Sequence, residues 1–134
     1  TGDDCSRGRD TFGPAAKDST RAQVALACRL LAQSPQRAFL FLNVSALHQP
    51  NHHYLPGAAV ASRESHAAAL EYVDAALPPL FAALRARGPS LCIVCSDHGT
   101  AYGEDGFTGH RVAHPTVWNV PYAEFVLPAR EGHP

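Results

Sequence analysis

Asp97 and His98 stand side by side and offer a hard oxygen and an imidazole nitrogen, a donor mix that suits zinc or manganese. They sit where an apolar run ends and where Gly99 permits a turn. Adjacent strand residues point to opposite faces, but at a bend both can converge. Taken alone, the dipeptide reads first as a loop-capping Asp beside a surface His. Twelve residues after His98 comes His110, followed by Arg111 and His114, beyond a loop broken by Gly103, Gly106 and Gly109. A second histidine-rich loop lies upstream, with His48, His52 and His53 close to Pro50 and Pro56. His52 and His53 fit either the mouth of a site or solvated loop positions.

These side chains must be positioned by the elements around them. Asp18 or Ser19 can cap a helix over about 19–34, in which Val24, Cys28 and Leu31 recur at helical spacing before Ser34-Pro35 ends it. Residues 38–45 form a nearly continuous apolar run and read as a strand buried on both faces. Ser62 caps a further helix with Glu64 in its first turn. Leu70, Val73, Leu77, Leu80 and Leu84 give it one apolar stripe, Pro78-Pro79 must kink or split it near Leu77, and Gly88 stops it. Residues 91–96 read as a second buried strand and 123–127 as a third, short one. The order predicts an α/β fold, a mostly parallel or mixed sheet flanked by helices. Residues 1–17 read as an irregular N-terminal segment and 18–134 as the folded part.

The chain has 134 residues, 11 basic and 12 acidic, for a formal charge of -1. That balance gives no electrostatic footing for nucleic acid or an anionic membrane. No apolar run approaches the length of a transmembrane segment. Cys92 and Cys95 have redox or zinc spacing but fall in a predicted strand, where they read as buried apolar-type residues. Unpaired cysteines in strands fit the cytoplasm. Nothing in the sequence indicates an oligomeric state.

Ser96-Asp97-His98-Gly99, then Gly103-Glu104-Asp105-Gly106, then His110, resembles the alkaline phosphatase superfamily, nearest its sulfatase and lipid phosphoethanolamine transferase branch. The run from Leu42 through His48-Gln49-Pro50, and Val120-Pro121 leading into a strand, are similar to segments of the same families. The resemblance covers about residues 38–127. It implies that Asp97 and His98 bind the metal that activates a nucleophile. His48 and His110 would hold a second metal or contact the ester's non-bridging oxygens. His114 is the rival for the role of His110, Arg111 could pair with a phosphate or sulfate oxygen, and Asn43 would lie behind the ligands. The expected cofactor is one or two divalent ions, zinc or manganese, and the substrate a small phosphate or sulfate ester. The superfamily's nucleophile-bearing first half has no counterpart in residues 1–37; Cys5-Ser6-Arg7 lacks the proline of the sulfatase nucleophile signature. The resemblance therefore implies the C-terminal half of a larger hydrolase or transferase, nearly inactive alone. The alternative is a non-catalytic metal-binding or interaction α/β module with the same ligands. A third reading is a plain α/β domain whose histidines are solvated.

Overall fold

The computed structural model describes residues 17–131. The segment expected to be irregular, with Cys5, falls outside them except for Lys17. Helix α1, Ser19–Gln33, follows Asp18, which takes the N-cap position without a side-chain hydrogen bond. Thr20, Val24, Ala27 and Leu31 form its buried face. Ser34 leaves the helix in an extended conformation, as a residue before proline must.

Helix α2, Arg63–Ala76, starts on a reciprocal cap. Ser62 Oγ accepts the Ser65 N–H, and Ser65 Oγ accepts the Ser62 N–H. Two of the otherwise unpaired donors of the first turn are thereby satisfied. The helix ends at Leu77, and α3, Pro78–Arg87, begins with proline at its first position. Gly88, at φ 130°, ends α3. The core gathers Val24, Ala27, Leu31 and Leu80, with Cys28, Leu40, Leu42, Leu77, Ala83 and Leu84 packed against it. The Arg87 guanidinium donates to the carbonyls of Leu31, Ser34 and Gln36 and ties the end of α3 to the end of α1. One member of the expected stripe is displaced. Leu70 is 54% exposed, because α2 turns Ser65, Ala69, Val73 and Ala76 inward instead. Those mostly small residues let the 46–55 loop approach closely.

By length and composition, Arg63–Arg87 is long and apolar enough to cross a membrane, more than the sequence reading allowed. It is nonetheless broken at Leu77, and Leu80 packs against α1.

The chain thus mixes helices with small sheets, but the expected parallel or mixed sheet is not what forms. Strand β1, Ser90–Cys95, pairs antiparallel with β4, Tyr122–Leu127, in register from Ser90↔Leu127 to Cys95↔Tyr122. Strands β2, Ala101–Tyr102, and β3, Thr108–Gly109, make a second antiparallel pair. A four-residue helix, α4, Pro115–Trp118, precedes β4. Residues 38–45 belong to no strand. Leu40 and Leu42 turn toward the core, while Phe39 is 94% and Phe41 78% exposed. β1 is likewise less buried than its composition suggests, with Leu91, Ile93 and Val94 all more than half exposed. Cys95 is exposed as well, and Cys92 half-buried. An apolar run is covered on both faces only where layers flank it on both sides. Here a two-stranded ribbon meets α3 through Phe81 and Phe125, ring centres 6.4 Å apart, and among the described residues Leu91, Val94, Tyr122 and Val126 stay exposed.

Candidate functional site

The end of β1 is anchored before it reaches the candidate ligands. Ser96 Oγ donates to the His98 carbonyl at 2.7 Å, and the Gly99 N–H donates to the Val117 carbonyl at 2.9 Å. A Cβ on Gly99 would lie 1.9 Å from the Thr116 carbonyl oxygen. Glycine is therefore required for the close approach to α4, beyond the turn expected of it.

The hairpin β2–β3 then carries the chain out and back. Its tip uses Gly103 at φ 120°, Asp105 at φ 49° and Gly106 at φ 80°. The Gly103 N–H closes the turn on the Phe107 carbonyl at 2.9 Å. The Glu104 carboxylate accepts the Tyr102 N–H. Its own backbone N–H and that of Tyr102 hold it below the usual carboxylate range. Because Ala101 faces Gly109, His110 returns to the start of the hairpin. The spacing of twelve from His98 is the length of this excursion.

Three imidazoles meet there. The His98 and His110 rings stack with centres 4.5 Å apart at 16°, and His48 meets His110 edge-on at 5.4 Å. His98 Nδ1 faces the Gly99 carbonyl at 2.9 Å, and His48 Nδ1 faces the Gln49 carbonyl. A carbonyl only accepts, so each Nδ1 carries a proton, and in the neutral ring Nε2 carries the lone pair. Asp97 Oδ1 accepts the His98 N–H at 3.0 Å, while Oδ2 lies 3.7 Å from His98 Nε2. Two lone-pair atoms that close repel unless a proton or a cation lies between them. Desolvation, then the neighbouring His98, His48 and Arg111, push the His110 pKa below its ordinary value, and Asp97 opposes them. Arg111 itself is exposed at the rim. Asp97, His98, His110 and His48, chosen from sequence, are thus brought together from three segments.

Other candidates are placed elsewhere. His114 is buried and caps α4: its Nδ1 accepts the Thr116 N–H at 3.2 Å and its Nε2–H donates to Asp105 Oδ2 at 3.0 Å. Both ring nitrogens are engaged away from the cluster, so the structure does not bring His114 to it. Asn43 is exposed, and its backbone carbonyl accepts from Gln23 Nε2 at 3.0 Å. His52 and His53 join an aromatic row at the α1–α2 junction, where His53 meets Tyr54 at 4.3 Å and Tyr54 meets Tyr72 at 4.8 Å. Both His53 ring nitrogens are buried, so that ring is not a solvated one. Burial is the main cause of its lowered pKa.

A residue that sequence reasoning missed is Asn51, which is fully buried. It bonds the Leu47 carbonyl, the Tyr102 hydroxyl and Ser65 Oγ. In sequence it is one polar residue in a proline-bounded loop. Only its partner 51 residues away distinguishes it from a solvated asparagine.

Among the described residues, no three or more His, Cys, Asp or Glu side chains are arranged to hold a metal ion. The His98 and His110 rings, stacked face to face, do not aim their lone pairs at one point. Compared with known proteins, the chain matches no family model, no curated protein and no solved structure.

Proposed function

We propose that this chain supplies a divalent-metal site, for zinc or manganese, to a hydrolase or transferase of phosphate or sulfate esters of the alkaline phosphatase type. The observation that carries the reading is the convergence of the His48, His98 and His110 rings beside the Asp97 carboxylate. The tautomers support it, since the neutral rings of His48 and His98 carry their lone pair on Nε2. So does the 3.7 Å between Asp97 Oδ2 and His98 Nε2. Ligands on one tetrahedral ion with bonds of ~2.0 Å stand about 3.3 Å apart, so a small closure suffices. In this reading Asp97 and His98 hold the ion that activates the nucleophile. His48 and His110 hold a second ion or hydrogen-bond the ester's non-bridging oxygens, and Arg111 pairs with one of those oxygens. A bound cation would supply charge stabilisation to the transferring group.

The test is a zinc and manganese titration of the chain and of its Asp97→Ala and His110→Ala variants. Each substitution is expected to weaken binding by at least about 10-fold. Equal binding by all three proteins, or none by the unaltered chain, would overturn the reading. Metal binding without turnover of any aryl phosphate or sulfate, in the longest form of the protein, would leave the non-catalytic module.

A further inference from the structure

We infer that Asn51 is the positioning residue of the imidazole cluster and that its hydrogen bond to the Tyr102 hydroxyl holds His48 against His110. This rests on reading the cluster as the working site, although the latch is a matter of ring geometry and needs no metal. His48 belongs to the 46–55 loop and His110 to the hairpin, and these segments share no strand pairing. Asn51 reaches both. One Nδ2 proton goes to the Leu47 carbonyl at 3.0 Å, on the residue just before His48. The other goes to Tyr102 Oη at 3.0 Å, inside the hairpin that ends at His110.

The third bond fixes the amide's orientation. Ser65 Oγ donates to Asn51 Oδ1 at 2.6 Å, and the Leu47 carbonyl, which only accepts, must face the NH2 side. Ser65 is also a member of the α2 cap, so the latch is anchored to a helix start. His66, the next residue of α2, places Nδ1 3.1 Å from the same Tyr102 hydroxyl and steadies it from the other side. Three segments are thereby fastened at one fully buried amide. A carboxylate in its place would lack both donors and would face the Leu47 carbonyl with like charge. His98 and His110, in contrast, are joined through the hairpin itself and do not depend on Asn51.

That asymmetry gives the test. In the metal-free chain, proton NOEs between the His48 and His110 rings and between the His98 and His110 rings are measured before and after Tyr102→Phe. This substitution removes only the hydroxyl and keeps the ring. The His48–His110 NOE is expected to fall by at least about 3-fold while the His98–His110 NOE persists, since NOE strength drops steeply as a ring swings away on a released loop. Asn51→Ala is expected to do the same where it folds. Both NOEs unchanged in folded Tyr102→Phe, or both lost together, would overturn the proposal, because a merely stabilising role does not separate them. A parallel zinc titration is expected to show binding about 10-fold weaker in Tyr102→Phe. If the unaltered chain binds no zinc, the metal reading fails, and the NOE comparison still decides the latch.

Discussion

The hairpin side of the molecule and the β1–β4 ribbon are held together in opposite ways. Around Asn51, three segments meet through specific hydrogen bonds, and both amide donors and the amide oxygen are engaged. Along the ribbon, Leu91, Ile93, Val94, Tyr122 and Val126 lie open, and Phe39 and Phe41 protrude from a segment that belongs to no strand. The first region gets its shape from contacts within itself. The second has the composition of a sheet interior without the layers that would cover it. Geometry at the candidate site is therefore a local property, whereas burial of the strands is a property of whatever else packs on them.

The largest expected effect lies at the joint between the regions. Gly99→Ala would put a Cβ against the Thr116 carbonyl, which is backbone and cannot swing away. A loss of about 3 kcal/mol in urea denaturation is expected, near the upper end for overpacking. A loss below about 1 kcal/mol would mean that the strand end and α4 are not clamped. Next comes His114→Ala, which removes the α4 cap and the Asp105 partner. About 1–2 kcal/mol should disappear, in the range for a lost N-cap. Because Asp105 is 84% exposed, little of that belongs to the ion pair. Asp105→Asn should accordingly change stability much less than His114→Ala does.

A pH titration of stability reads the same region. Burial lowers the His66 pKa, and desolvation with neighbouring rings lowers that of His110, both from an ordinary 6.5. The unfolded chain then binds more protons than the folded one just below pH 6.5, so stability rises with pH there and levels off above it. Urea midpoints that fall on going from about pH 5 to about pH 7.5 would contradict this sign. The smallest effect belongs to the ribbon side. Phe39→Ser with Phe41→Ser should change monomer stability by less than about 0.5 kcal/mol, as exposed sites do. It should also reduce self-association in analytical ultracentrifugation, since exposed apolar side chains beside unpaired backbone invite it. A large loss of stability would show that these side chains are not exposed.

The same contrast explains what the sequence made legible. Ser62 as a helix cap and the split at Leu77-Pro78 depend on neighbours within four residues, and both appear as expected. The twelve-residue interval between His98 and His110 is closed by a glycine-shaped hairpin, again a local device. Burial of residues 38–45 and 91–96 was inferred from apolar composition. Composition states what a strand can bury and says nothing about which partner is at hand. Asn51 was missed because its role depends on Tyr102, far along the chain. His114 could be named as the alternative to His110 because a histidine at a helix N-cap has the same residue type and neighbourhood in sequence as a metal ligand.

The central claim is that Asp97 and His98 share a cation with the rings of His48 and His110 beside it. Crystals of the chain grown with zinc, with anomalous differences recorded on both sides of the zinc absorption edge, test it most directly. The account predicts an edge-dependent peak between Asp97 Oδ2 and His98 Nε2, at ~2.0 Å from each. Zinc bound elsewhere, with Asp97 and His98 keeping the separation of 3.7 Å and no peak between them, would contradict it.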